Sequence, residues 1–195
     1  MKIKAFSVKL RGVIINWHGG GSYKIQSSDI DVLVDPASGN ANNRLKGNLI
    51  LKTQVSLPLD IQNIPEQEII TAGEYEIKGI KIKGIQISSD GKTLKTAYRI
   101  VIDDISLGFL GDINTELNEK TLDELGEIDI LFVPAKPIAG QLIKSVDPSI
   151  AIPGWGDPKI VATEVGQKPD SQEKLVIKKK DIEAEEGFRL VILKS

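Results

Sequence analysis

The 195-residue chain contains no cysteine and a single histidine, His18. The first absence excludes disulfides and thiolate metal sites, and leaves the redox compartment unmarked. The second restricts imidazole chemistry, since any Ser-His-Asp triad would have to use His18 itself. Aromatic residues make up only 5%, so the core must be built from the Ile, Leu and Val of a 41% apolar share. Those residues favour strands when they alternate with polar ones. Neither sign of charge dominates: 25 basic and 27 acidic side chains leave a net charge of −2. No basic excess points to nucleic acid, and a basic patch would have to be assembled by the fold. No stretch approaches the ~18 consecutive apolar residues of a membrane span. The N-terminal "MKIKAFSVKL" alternates charged and apolar residues and lacks the continuous apolar stretch of a signal peptide. The expectation is a soluble cytoplasmic protein with one domain over residues 1–195.

What is present is strand-forming alternation. "KIKAFSVKL", "GVIINW", "SYKIQ" and "DIDVLVDP" follow one another with short Gly, Ser or Asp breaks, which suggests hairpins. "NLILKT" reads as a short buried strand, and the two prolines of "SLPLDIQNIPEQ" mark a loop. In "IKIKGIQI", Ile80 and Ile82 fall in one register and Ile85 and Ile87 in the other, so a bulge is expected at Gly84. "TLKTAYRIVID" and "ISLGFLG" form a hairpin through Asp103-Asp104. The second half changes rhythm. A helix capped at Asn114 or Thr115 carries Leu117, Leu122 and Leu125 on one face and stops at Gly126. "IDILFVP" and "SIAIPG" are buried strands, "AGQLIKSV" and "DPKIVATEVG" helices, and "EKLVIKKKDIE" with "FRLVILK" a terminal hairpin. Lys178 to Lys180 read there as a solvated edge that discourages edge pairing. Strands followed by helix–strand alternation indicate a layered α/β domain rich in sheet.

Chemistry-bearing residues are few. Asp112 follows Gly111 just past the C-terminal end of the strand "ISLGFL", where α/β proteins often place catalytic carboxylates and metal ligands. "NWHGGGSYK" contains neither a G-x-x-x-x-G-K-[ST] loop nor, with the rest of the chain, a G-x-S-x-G elbow, so Gly19 to Gly21 are read as tight hairpin geometry and His18 as a turn residue. Asp35, which ends a strand before Pro36, Glu74 in "AGEYEI" and His18 are the candidates for cleft residues.

Taken together the segments resemble the metallo-β-lactamase-fold superfamily, and most of all its small bacterial branch that includes ascorbate-phosphate lactonase and Zn-dependent hydrolases. "WHGGGSY" (17–23) is similar to the branch's W-x-G-H-S-x-F turn and "VLVDP" (32–36) to I-L-I-D-P. Gly73 to Ile80 matches G-E-Y-E-I-x-G-I without a gap, Tyr98 to Asp112 matches Y-R-I…D-G-I-S-I-x-H-L-G-D, "GEIDILFVP" (126–134) matches G-D-V-D-I-L-F-V-P, and "PSIAIPGW" (148–155) matches P-x-I-x-I-P-M-H. The resemblance implies a four-layer αββα sandwich, β-rich with few short helices.

It also implies a set of metal ligands, which this sequence replaces. The T-H-x-H-x-D-H loop aligns with "TQVSLPL", so Gln54 and Ser56 stand for two histidines and Pro58 and Leu59 for the next Asp and His. The histidine expected near Ile87 to Ser89 is missing, and that of P-M-H is Trp155. Only Asp112 keeps a ligand type, at the position that bridges two metals in the family. A catalytic zinc needs about three N, S or carboxylate ligands, so the sequence leads to no expected cofactor and no zinc. Asp112 is then expected to hold its own turn near the helix N-terminus, and Trp155 to plug the vacated volume with Asp112 as one acceptor for its N–H. Asp35 resembles the carboxylate beside the metal loop.

The functional expectation is a catalytically degenerate member acting as a binding or scaffold module for a protein or small-molecule ligand, with no nucleic acid and no membrane, and with an oligomer as a possible setting. The rival is a hydrolase of the same fold with a rebuilt site around Asp112, His18 and Ser22 or Ser56, or a hard-cation site from Asp35, Asp112 and Asp157.

Overall fold

The computed structural model describes residues 12–27, 30–37, 47–184 and 187–195. The N-terminal strand read in "KIKAFSVKL" lies outside the described residues.

The alternating N-terminal segments form β1 (Val13–Trp17), β2 (Tyr23–Gln26) and β3 (Asp31–Val34), an antiparallel run in which Ile15 pairs with Ile25 and Ile25 with Val32. Next come β4 (Leu49–Leu51), parallel to β3, and β5 (Gln54–Ser56). After the loop, which holds a 3-10 turn at Ile61–Asn63, β6 (Glu68–Ile69) pairs with β4. A meander follows: β7 (Gly73–Ile77), β8 (Ile80–Ser89), β9 (Thr93–Ile102) and β10 (Ile105–Phe109). The β9–β10 turn is made by Asp103 and Asp104, both left-handed at φ 50° and 64°, as a two-residue hairpin of right-handed twist requires.

Parallel pairing then takes over. Helix α1 (Glu119–Leu125) leads into β11 (Ile130–Pro134), α2 (Ala139–Val146) into β12 (Ile150–Gly154), and α3 (Pro158–Val165) into β13 (Asp170–Gln172). The chain ends through β14 (Lys174–Ile177), α4 (Lys179–Glu183) and β15 (Arg189–Leu193). Two sheets result. One runs β14-β1-β2-β3-β4-β6; the other runs β13-β15-β12-β11-β10-β9-β8-β7, with β5 added against β9.

The sheets face each other across a core of aliphatic side chains from both, including Ile15, Ile25, Val32, Leu51, Ile82, Ile100, Leu107 and Ile152, with Phe109 and Phe132 stacked at a centroid distance of 4.0 Å. A second cluster lies on the outer face of the larger sheet. There Leu125 of α1, Leu142 of α2 and Val161 of α3 pack on Ile85, Leu131, Val133 and Leu190. This is the metallo-β-lactamase type of α/β sandwich. Among the described residues no helix is long and apolar enough to cross a membrane.

Four expectations change in detail. The helix begins at Glu119, not near Thr115, because the side chain of Asn118 caps it by accepting the Thr121 N–H at 2.8 Å. The bulge falls between Gln86 and Ser88, not at Gly84. The strand runs straight through Gly84, placing Ile80 and Ile82 in the inter-sheet core and Ile85 on the helix side. Gly84 is there for space: a Cβ would stand 2.7 Å from the Thr71 carbonyl oxygen. Finally, the terminal segments do not form a hairpin. β14 joins β1 in the smaller sheet, β15 joins β12 in the larger, and Lys179 lies in α4 between them, gripping Asp129 at 2.8 Å rather than lying solvated on an edge.

Candidate functional site

The parallel strands β10, β11 and β12 end side by side, with Phe109 opposite Phe132 and Pro134 opposite Gly154. Their C-terminal ends deliver Asp112, Lys136 and Trp155 to one rim, the usual place for a site in an α/β sheet. From the smaller sheet, the end of β3 supplies Asp35 and the end of β4 supplies Lys52 and Thr53. Together with Gly21, Pro36, Gln54, Val55 and Ser56 these residues line a cleft of about 600 Å³, which Asp112 and Trp155 close on the other side.

The most heavily hydrogen-bonded part of the cleft is built on Asp35. Its Oδ1 accepts the backbone N–H of Thr53 at 2.7 Å, and its Oδ2 accepts the Thr53 hydroxyl and the Trp155 indole N–H, the latter at 3.2 Å. Burial pushes the Asp35 carboxyl above the ordinary carboxylate range, against the opposing pull of the Thr53 and Trp155 hydrogen bonds and the Lys52 charge. Trp155 is held on further sides. Its backbone N–H donates to Gly20 O at 3.0 Å, its ring lies 5.9 Å from that of Tyr23, and a Cβ on Gly21 would stand 1.9 Å from its Nε1. Tyr23 is itself fixed by donating to Pro153 O at 2.8 Å, and burial raises its phenol well above the usual value.

Asp112 is engaged differently. Its Oδ1 lies 2.6 Å from Lys136 Nζ, and its carbonyl oxygen accepts from Lys95 Nζ at 2.6 Å. The Trp155 indole therefore bonds not to Asp112, one candidate for its acceptor, but to Asp35 on the opposite sheet, and Asp112 is held by lysines rather than by turn N–H groups. Lys52 forms its own ion pair with Glu68 at 3.0 Å.

Of the residues singled out in the sequence, Gln54, Ser56, Asp112, Trp155 and Asp35 come together in this cleft. Gln54 and Ser56 lie on β5 and pair across to Lys95 and Thr93. Pro58, Leu59 and His18 are not among the lining residues, and neither is Glu74. Glu74 instead is exposed on β7, lining a smaller pocket with Glu76, Lys81, Lys83 and Arg99. His18 is exposed in the β1–β2 turn, where partial burial and then the Lys24 charge lower its pKa. Asp157 caps α3 by accepting the Lys159 N–H at 3.0 Å and does not join Asp35 and Asp112. Sequence reading missed Lys136. The signal was present, since a strand that ends "FLGD" beside a parallel strand that ends "FVPAK" sets these two charges against each other.

Solved structures similar to this one share its sandwich. One is a candidate Zn-dependent hydrolase of the metallo-beta-lactamase superfamily from Thermotoga maritima, 18% identical, covering 93% of this chain and 98% of that one at a TM-score of 0.73. Another is Igni18, a metallo hydrolase from Ignicoccus hospitalis, 12% identical over 94% and 95% of the two chains at 0.65. A third, CmlA from Streptomyces venezuelae, is a diiron beta-hydroxylase, 10% identical over 96% of this chain and 53% of that one at 0.59. No curated protein matches the sequence.

These neighbours correct one expectation. They are described as Zn-dependent, metallo and diiron enzymes, so the expectation of no cofactor, and of no zinc in particular, does not stand. The donor set of this cleft nevertheless does not reproduce a dinuclear centre. Among the described residues no three of His, Cys, Asp and Glu come together, and Asp35 and Asp112 each face protein donors. The family itself is fixed by the sequence: the model of the beta-lactamase superfamily domain matches residues 14–154, from the first strand of the smaller sheet to the strand end that carries Trp155, and the chain belongs to that family.

Proposed function

We propose that this β-lactamase-fold protein is a binding module, with the cleft kept for a small polar ligand and the dinuclear hydrolytic centre of its relatives not rebuilt. One observation carries the reading. The positions that hold metal ligands in the resembled branch are here Gln54, Ser56, Pro58, Leu59 and Trp155, while both carboxylates in the cleft, Asp35 and Asp112, are committed to Trp155 and Thr53 and to Lys136. Asp35 engaged in this way has little to offer a water nucleophile, and Asp112 alone does not supply the three or so ligands of a catalytic zinc. The cleft nonetheless remains open at about 600 Å³, a volume suited to a small molecule. A net charge of −2 gives no electrostatic reason to invoke nucleic acid or an anionic membrane surface.

The alternative is a hydrolase with a rebuilt site around Asp112. It has less support, because His18 is not among the cleft-lining residues and Ser22 is buried below the turn. The test is hydrolysis of nitrocefin, a simple lactone and a phosphodiester by the purified protein supplemented in turn with zinc, manganese and ferrous iron. Rates equal to those of metal and buffer alone are expected. A metal-dependent rate that Asp112→Asn abolishes would overturn the reading.

A further inference from the structure

Every ionised side chain that lines the cleft has a protein partner. Lys52 pairs with Glu68 at 3.0 Å and Asp112 with Lys136 at 2.6 Å, while Asp35 accepts from Thr53 and Trp155. A charged ligand would meet charges that already have counter-charges, although the Asp112–Lys136 pair is partly exposed and screened. No lining charge is left without a counter-charge, so nothing in the cleft singles out an ionic ligand. What is left to meet a ligand is neutral: the indole of Trp155, the exposed amide of Gln54 and the exposed hydroxyl of Ser56.

Trp155 is an unusual residue to find at such a strand end. Its φ of 52° is a left-handed conformation that bulky side chains seldom adopt. It is kept there by the Gly20 carbonyl on its backbone and by Asp35 on its indole, with Gly21 cut back to make room for the ring. The ring is thus presented to the cleft in one fixed orientation, so that little conformational freedom is lost when something stacks on it. Gln54 adds a carbonyl and an amide N–H₂ side by side, the complement of a ring edge that carries a donor next to an acceptor, as adenine does with N6 and N7.

Resting on the reading of the cleft as a binding site, we infer that its ligand is a neutral planar heterocycle with adjacent donor and acceptor on one edge, of the adenine kind, stacked on Trp155 and read by Gln54. A free sugar fits less well, because it offers no aromatic face to Trp155 and no planar edge with donor beside acceptor to Gln54. Phosphorylated forms should gain little from the cleft, whose one lining lysine, Lys52, is paired with Glu68.

The chain has two tryptophans, Trp17 and Trp155, so Trp17→Phe leaves Trp155 as the sole reporter. Its emission, excited at the red edge where purines do not absorb, should be quenched saturably by adenosine. AMP should bind no more tightly than adenosine, and inorganic phosphate and N-acetylglucosamine should have no effect. Gln54→Leu, an exposed change that leaves the fold alone, should weaken adenosine roughly 5- to 150-fold, the loss of one good bidentate base contact. Because Trp17→Phe also removes the indole bond to Gly20 O, equilibrium dialysis of adenosine against the unaltered chain supplies an independent measure. Absence of adenosine binding in both measurements would overturn the inference, as would binding indifferent to Gln54→Leu. Saturable binding of phosphate or the sugar without adenosine would overturn it while leaving the binding-module reading in place, whereas metal-dependent hydrolysis strikes at that reading itself.

Discussion

Trp155 donates its indole N–H to Asp35 Oδ2 across 3.2 Å, joining the ends of two strands in opposite sheets, and both residues hold left-handed backbones at φ 52° and 42°. For residues with a Cβ such conformations cost on the order of 1–2 kcal/mol each. Two of them facing each other through a hydrogen bond mark the rim of the cleft as a place where the fold maintains geometry at some expense of stability.

That arrangement has a pH signature. Burial raises the folded pKa of Asp35 above its unfolded value, so between the two values the native state holds more protons than the unfolded chain. Stability from this group is then greatest below the unfolded pKa and falls as pH rises through the folded one. Asp35→Asn does not titrate. Denaturation of both proteins from about pH 4 to pH 7 should show the wild type losing ground relative to the variant as pH rises, the other carboxylates cancelling in the difference. A flat difference would show that the hydrogen bonds from Thr53 and Trp155 balance desolvation, and one that grows in the wild type's favour with pH that they outweigh it.

The Asp112–Lys136 pair should behave otherwise. The two side chains are 43% and 32% exposed, so solvent screens their attraction. Asp112→Asn and Lys136→Met should each cost less than about 1 kcal/mol, with a double-mutant coupling of the same small size that shrinks in high salt. A coupling well above that range would mean that the pair is a structural clamp on the β10 and β11 ends.

How far these contacts could be read from the sequence depends on how local they are. The Asp103-Asp104 turn was legible because its two left-handed residues and flanking alternation are contiguous. The start of α1 was misplaced because Asn114, Thr115 and Asn118 are all plausible caps, and only the three-dimensional path selects Asn118. The terminal hairpin was misread because alternation in "EKLVIK" reports a half-buried strand without saying that its partner is β1, some 160 residues away. The Asp35 side of the cleft was recognised by position, but its bond to Trp155 depends on two sheets meeting, which no local pattern encodes.

Asp129 offers a contrast with Asp112. Its side chain is only 16% exposed; Oδ2 accepts the Ser106 backbone N–H at 2.8 Å, and Lys179 Nζ reaches both oxygens at 2.8 and 2.9 Å. One carboxylate thus ties the start of β10 to α4. Asp129→Ala should cost about 1.5–3 kcal/mol, the range for hydrogen bonds to a charged group. Lys179→Met should cost less, because the Ser106 bond survives it. Urea denaturation of the two variants orders them, and equal costs would assign the whole effect to the lysine.

The tightest constraint in the cleft is the meeting of Gly21 with the Trp155 indole. Gly21 has no left-handed backbone that would demand glycine, so space alone bars a side chain there. A Cβ would fall 1.9 Å from Nε1, and the ring cannot retreat without breaking its bond to Asp35 and its packing on Tyr23. Gly21→Ala should therefore cost about 1–3 kcal/mol by overpacking. The same change should cost little in a Trp155→Leu background, where the obstructing ring is gone. Gly21→Ala should also alter the Trp155 emission measured with Trp17→Phe present, because the displaced indole exchanges a buried carboxylate for solvent. If Gly21→Ala costs the same with and without Trp155, the glycine serves the turn and not the tryptophan. The fixed orientation of the indole would then need another cause than the Gly21 gap.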